Sequence, residues 1–212
     1  MNIIQDSLSL IKRTSKIFIE KTLSLKSNWN ILDIGCGYGA NKYANVICDV
    51  QDLSKFYPNK IFTKLVEKKL PFKDKEFDFV IASHVMEHVD DVEFFISELE
   101  RVSKQGYIEL PTMLEDNLVF ENKKDHIWHM DFDDIEFKLL ISKKIQYLEP
   151  ILTVSSIKKL NEIFRKSFII ELFWENKIDY EVKKLSTENI NKISITSLLK
   201  KYFSKRLRMF LK

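Results

Sequence analysis

The sequence predicts an α/β protein with a doubly wound, mostly parallel sheet and helices on both faces. Three observations carry that prediction. Short apolar runs bounded by polar residues recur through the first half, at 29–34 (WNILDI), 44–50 (ANVICDV), 60–66, 77–82 (FDFVIA) and 107–110 (YIEL). A strongly periodic helical stretch lies between the last two, and strands alternating with helices argue for a parallel sheet. The chain has only four glycines, and three of them, Gly35, Gly37 and Gly39, follow the first of these strands.

Each element has its own signal. Ile4, Leu8, Ile11, Phe18 and Leu25 fall on one helical face, so 3–25 is predicted as an amphipathic helix. Helix 90–104 has a capping-box spacing at Asp90 and Glu93, with Val92, Phe95, Ile96, Leu99 and Val102 as its apolar stripe. Gly106 ends it. After Pro111 the chain turns polar and acid-rich to 134, with Trp128 and two histidines embedded. A strand is predicted at 135–142. A helix follows at 153–166, with Ile157, Leu160, Ile163 and Phe164 inward. Strands 168–174 and 178–183 are predicted as a hairpin around Glu175-Asn176-Lys177, and the tail from 196 as a basic helix.

Composition bounds the function. The 212 residues carry a net charge of +3, too weak to argue for a nucleic-acid partner. No window approaches the ~18 apolar residues of a membrane span. Asp6, Lys12 and Arg13 interrupt the N-terminal apolar stretch, which also has no small-residue cleavage site, so a cytoplasmic protein is expected. Cys36 and Cys48 make neither a disulfide scaffold nor a metal pattern and are expected as buried, inert thiols.

The glycine loop admits two ligands. Gly35-x-Gly37-x-x-Ala40 fits a dinucleotide fingerprint. Asp33, two residues before Gly35, would however repel a pyrophosphate. Asp49 follows Gly35 by 14 residues, short of the ~20 that pattern needs for its ribose acid. The alternative ligand is S-adenosylmethionine, whose ammonium suits Asp33 and whose ribose hydroxyls suit Asp49.

With these residues in view, the chain resembles the class I S-adenosylmethionine-dependent methyltransferases. The resemblance rests on ILDIGCGYG (31–39), LPFKDKEFDFVIA (70–82) and SHVMEHV (83–89) followed by the helix and YIELP. It implies a Rossmann-like, seven-stranded sheet, shortened between its first two strands, with a C-terminal α+β extension. It implies one domain over 1–195, with a core at 29–111, a variable acceptor-side insert at 112–150 and a tail at 196–212. The implied cofactor is S-adenosyl-L-methionine, held by Asp33, Gly35, Cys36, Gly37, Asp49, Val66, Glu67 and Ser83. Only ten residues separate Gly39 from Asp49, so a turn or a single helical turn at Asn41-Lys42-Tyr43 must replace the usual helix.

His84 and His88 are the candidate catalytic groups, His84 as a base or substrate-orienting group. Trp128 and His129 are the candidate substrate-binding residues. His84-x-x-Glu87-His88 with a histidine of the insert could bind a divalent metal, as a Glu-x-x-Glu-His site does in some methyltransferases of this fold. Residue types without geometry do not make such a site, and no metal ligand is assigned. The expected reaction is methyl transfer to a small-molecule, sugar or lipid-linked acceptor. The other readings are an NAD-dependent oxidoreductase and a non-catalytic scaffold with a methyltransferase fold.

Residues 198–212 carry six positive charges and no acid. Leu199, Tyr202, Phe203, Leu207 and Phe210 share one side, and Lys200, Lys201, Lys205, Arg208 and Lys212 the other, with Arg206 inside the apolar face. A peripheral contact with the inner membrane surface is expected of this tail, set against packing on the domain or a solvated end.

Overall fold

The computed structural model describes residues 10–183 and 192–210. Its centre is a seven-stranded sheet in the order β1-β9-β6-β5-β2-β3-β4. β2 (Ile31–Ile34), β3 (Val46–Asp49), β4 (Ile61–Lys64), β5 (Phe79–Ser83) and β6 (Gln105–Pro111) run parallel. β9 (Ile169–Glu175) joins β6 antiparallel, and β1 (Leu10–Arg13) closes that edge antiparallel to β9. All five parallel strands coincide with runs predicted from the sequence. β2, β3 and most of β5 are buried on both faces, which explains why they are apolar apart from Asp33 and Asp49.

The two faces are covered unequally. On one, α2 (Val92–Val102) packs Val92, Phe95, Ile96, Leu99 and Val102 onto Leu32, Val80 and Ile108. On the other, α1 (Lys16–Ser24) supplies Ile19 and Leu23 to Ile31, Ile47, Phe79, Ile81 and Tyr107. The connections 35–45, 50–60 and 65–78 contain no helix. Strand order reverses between β2 and β5, so a crevice opens where their carboxyl ends diverge.

After β6 come α3 (Met113–Leu118), α4 (Asn122–Asp125), β7 (Trp128–Asp133), β8 (Lys138–Lys143), α5 (Val154–Phe168), β10 (Tyr180–Lys183) and α6 (Ile195–Phe210). β10, β8 and β7 form a separate three-stranded sheet. Its Met130, Phe132, Leu139 and Ile141 join the α2 side of the core.

Several local predictions are corrected. The helix predicted at 3–25 begins only at Lys16; residues 10–13 are a strand, and 3–9 lie outside the described residues. Ile11 is buried opposite Trp174, a pairing no local pattern encodes. The N-cap of α2 is Asp91, which accepts from the Phe94 N–H at 3.0 Å, while Asp90 faces Lys68. β8 starts at Lys138 because Asp133 accepts the N–H groups of Ile135 and Glu136 and turns the chain there. In α5, Ile163 and Phe164 are exposed: the helix kinks at Phe164 and packs through Ile157 and Phe168 against Val119 and Ile169. The predicted hairpin does not form, because β9 belongs to the large sheet and β10 runs parallel to β8 in the small one.

Candidate active site

β2 runs directly into the loop 35–41, and Gly35 makes the bend with φ +63°. A Cβ there would lie 2.4 Å from Cγ2 of Val85, so both conformation and space require glycine. Side chains hold the loop where a helix is missing. Asp33 Oδ2 accepts from the Asn41 N–H at 2.7 Å, and Asp49 Oδ2 accepts from the Gly37 N–H at 2.9 Å. The Tyr57 hydroxyl donates to the Gly37 carbonyl at 2.9 Å and accepts from the Ala40 N–H at 3.0 Å. The Lys60 ammonium donates to the carbonyls of Asn41 and Ala44. The segment 41–43 is a turn, as its length requires. Tyr57 and Lys60 had no signal in the sequence, since their partners lie 16–20 residues away in a coil.

Two cavities open at the strand ends, and Gly35 borders both. The larger, about 650 Å³, is lined by Asp49, Val66, Glu67, His84 and His88, with Phe94 and Phe95 among its apolar walls. The smaller, about 280 Å³, is lined by Lys16, Asp33, Cys36, Ser83 and Tyr107. The structure thus brings together seven of the eight predicted cofactor residues around Gly35. Gly37 borders neither cavity; its N–H orients Asp49. Lys16 is a site residue the sequence did not reveal, because the register of its helix was displaced.

Electrostatics divides these groups. Burial pushes the Asp33 carboxyl up to about 6, with the Asn41 N–H, Lys16 and Lys60 opposing the shift. Burial also pushes both thiols up to about 12, Cys36 further through Asp33. Both are held as neutral thiols rather than thiolates, although Cys36 is half-buried rather than buried.

His84, at the end of β5, has φ +55°, and its N–H donates to the Glu109 carbonyl at 2.8 Å. Its ring nitrogens lie 3.3 Å from Glu87 Oε1 and from Glu109 Oε1. Burial disfavours the imidazolium, but the two carboxylates outweigh it and raise the group to about 10. His84 is therefore a cation at neutral pH. Both ring nitrogens face carboxylates, so the group it presents to the cavity is a positive charge, which suits orienting an acceptor better than taking its proton. Glu109 is lowered to about 2: burial opposes this, and His84, Lys16 and Arg165 prevail. Arg165 Nη2 donates to it at 2.7 Å and the Tyr107 hydroxyl at 2.9 Å.

His88 is exposed and borders the larger cavity. Its Nδ1 donates to the Asp125 carbonyl at 2.9 Å, which leaves the lone pair on Nε2. The His126 ring meets it edge-on with centroids 4.5 Å apart, and His126 Nδ1 pairs with Asp116. One donor atom each from Glu87, His88 and His126 lie within 4.8 Å of one another, a spacing that could hold a divalent ion. The structure does not bring the other two predicted residues into either cavity. Trp128 is buried and donates from Nε1 at 2.8 Å to the carbonyl of Val89, itself a wall of the larger cavity. His129 is 2% exposed beside Asp116 and Tyr147, and burial lowers it to about 4. His126 of the insert lines neither cavity either; it packs against His88, which borders the larger one.

Comparison with known proteins follows this geometry. A family model described as a methyltransferase domain matches residues 7–162, well over half of the chain. An uncharacterized protein of Methanocaldococcus jannaschii, MJ0638, is 28% identical over 198 residues, covering 75% of this chain and 87% of the relative. Ajmaline N-methyltransferase of Rauvolfia serpentina is 32% identical over 97 residues, covering 36% of this chain and 33% of that enzyme. Among solved structures, a SAM-dependent methyltransferase from Aquifex aeolicus aligns with a TM-score of 0.41 at 15% identity, covering 74% of this chain and 87% of that one. On the strength of the family match, this chain belongs to the methyltransferase domain family.

Proposed function

We propose that the protein transfers a methyl group from S-adenosylmethionine to a small-molecule, sugar or lipid-linked acceptor. One observation carries the reading: two carboxylates, Asp33 and Asp49, end adjacent parallel strands and stand in two cavities that share Gly35. Asp33 spends Oδ2 on Asn41, and among the described residues its Oδ1 has no hydrogen-bond partner, which suits an ammonium. Lys16 in the same cavity supplies the opposite charge for the adjoining carboxylate of the amino-acid end. Asp49 keeps lone pairs for ribose hydroxyls beyond those accepting from Gly37 and Gln51. Val66 and Glu67 border the larger cavity where an adenine would lie.

The bound cofactor supplies an electrophilic methyl group on a cationic sulfur. The chain's own task is to place the acceptor in line with it and exclude water, which can lower a barrier by as much as ~7–11 kcal/mol. The His84 imidazolium, with both N–H groups turned to Glu87 and Glu109, offers positive charge to the acceptor side of the cavity. His88 Nε2 is placed to take the proton an acceptor loses, a step worth ~10²–10⁴-fold. The N-methyltransferase relative acts on ajmaline, a small molecule by its name, which supports that acceptor class.

Calorimetric titration with S-adenosylmethionine and with S-adenosylhomocysteine tests the reading. Binding by the wild type, weakened by ~1–3 kcal/mol in Asp49→Ala, is the expected result. Absence of binding to the wild type overturns the reading. Unchanged affinity in Asp49→Ala removes the ribose assignment.

A further inference from the structure

α6 has no buried residue along its 16 positions. Leu198, Leu199, Tyr202, Phe203, Leu207, Met209 and Phe210 are between 46% and 81% exposed. At ~100° per residue they fill one half of the helix circumference. The other half carries Lys200, Lys201, Lys205 and Arg208, and no acid occurs between Lys192 and Phe210. Arg206, the one cation inside the apolar half, lies over the Tyr202 ring at 5.7 Å, so its long stem follows the apolar surface while its charge can reach outward.

We infer that α6 lies along an anionic lipid surface, with its apolar half among the acyl chains and its lysines at the headgroups. The charge decides the occupant. A face made to cover another protein would carry acids beside its bases, whereas this one offers five cations and no anion to whatever meets it. At 16 residues the helix is too short and too charged to span a bilayer, so it lies in the interface. Its root is fixed to the domain. The Ile193 N–H donates to the Tyr147 carbonyl at 2.7 Å, and Asn117 Oδ1 in turn accepts from the N–H groups of Tyr147 and Leu148. Asn117 belongs to α3, which follows the carboxyl end of β6, so the surface helix is tied to the end of the sheet that carries the cavities. The inference stands on α6 alone and does not depend on the cofactor reading.

The test is co-sedimentation of the full chain with vesicles of phosphatidylcholine alone and of phosphatidylcholine mixed with phosphatidylglycerol, at low and high salt. The expected result is binding only to the anionic vesicles, released by salt. Phe203→Ser with Phe210→Ser, and separately Lys200→Glu with Lys201→Glu, each reduce partitioning roughly tenfold or more. Neither pair changes the unfolding temperature of the domain, because none of these residues is buried. Equal binding to both vesicle types, or none to either, overturns the inference. So does a dimer in light scattering that Phe203→Ser dissociates, which would assign the apolar half to a second copy.

Discussion

Glu109 Oε1 and the Nε2 of His84 lie 3.3 Å apart across the carboxyl ends of neighbouring strands β6 and β5. The contact joins the cavity to the salt-bridge cluster of Arg165, Glu171 and Lys16, so it acts on both stability and the site.

The pair makes stability depend on pH in a defined window. His84 is raised from 6.5 to about 10, so its contribution is full below 6.5 and is lost as pH rises through 10. Glu109 is lowered from 4.5 to about 2, so its contribution is full above 4.5 and is lost as pH falls through 2. Thermal unfolding of His84→Gln against wild type should show its greatest deficit near pH 4.5–6.5, shrinking toward pH 10. A deficit constant from pH 6 to 10 would contradict the assignment.

The proposed contact of Asp33 with the cofactor ammonium predicts an affinity that depends on pH in the opposite sense. Its carboxyl ionises near 6, and only the ionised form attracts an ammonium. Affinity for S-adenosylmethionine should therefore fall as pH drops below about 6. In Asp33→Asn it should be lower by ~1–3 kcal/mol at neutral pH and flat across that range. Titrations at several pH values decide; a wild-type profile unchanged down to pH 5 would exclude the carboxylate as the partner.

Gly35→Ala combines a strained φ with the Val85 clash. A loss of about 1–3 kcal/mol in stability is expected, together with weaker cofactor binding, because both cavities border this residue. The double variant Gly35→Ala/Val85→Ala should recover the part due to the clash and keep the part due to φ. Denaturant unfolding of the two measures the split.

The sequence showed the parallel core because its signals are local. Leu32, Ile47 and Val80 sit in short, mostly apolar runs, and Gly35 marks the bend between β2 and its loop. What it hid depends on distant partners. Ile11 fits a helical face as well as a strand, and only Trp174, far along the chain, decides between them. Tyr180–Lys183 reads as half a hairpin until β8 offers a parallel partner. Of the site, the residues on β2, β3 and β5 were legible. Lys16, Tyr57 and Lys60 were not, since Lys16 meets Glu109 and Glu171 far along the chain, and Tyr57 and Lys60 hold the glycine loop from a coil. His129 carried the right residue type, yet it faces Asp116 in the interior, and His126, three residues earlier, pairs with the same Asp116 and reaches the site only by packing against His88.

The antiparallel edge also sets an order of assembly. β1 is the first described strand to leave the ribosome, yet its partner β9 is among the last, with Ile11 opposite Trp174. Until β9 emerges, β6 stands as an uncovered strand of apolar character, the kind of nascent edge that invites pairing with another chain. Gly106 keeps room there for Trp174 as well as for β5: an added Cβ would come within 2.5 Å of the Val80 carbonyl oxygen and 2.8 Å of the indole nitrogen. The growing polypeptide thus holds a vacant berth for its late strand, and a truncation before residue 169 leaves both β6 and β1 without their shared partner.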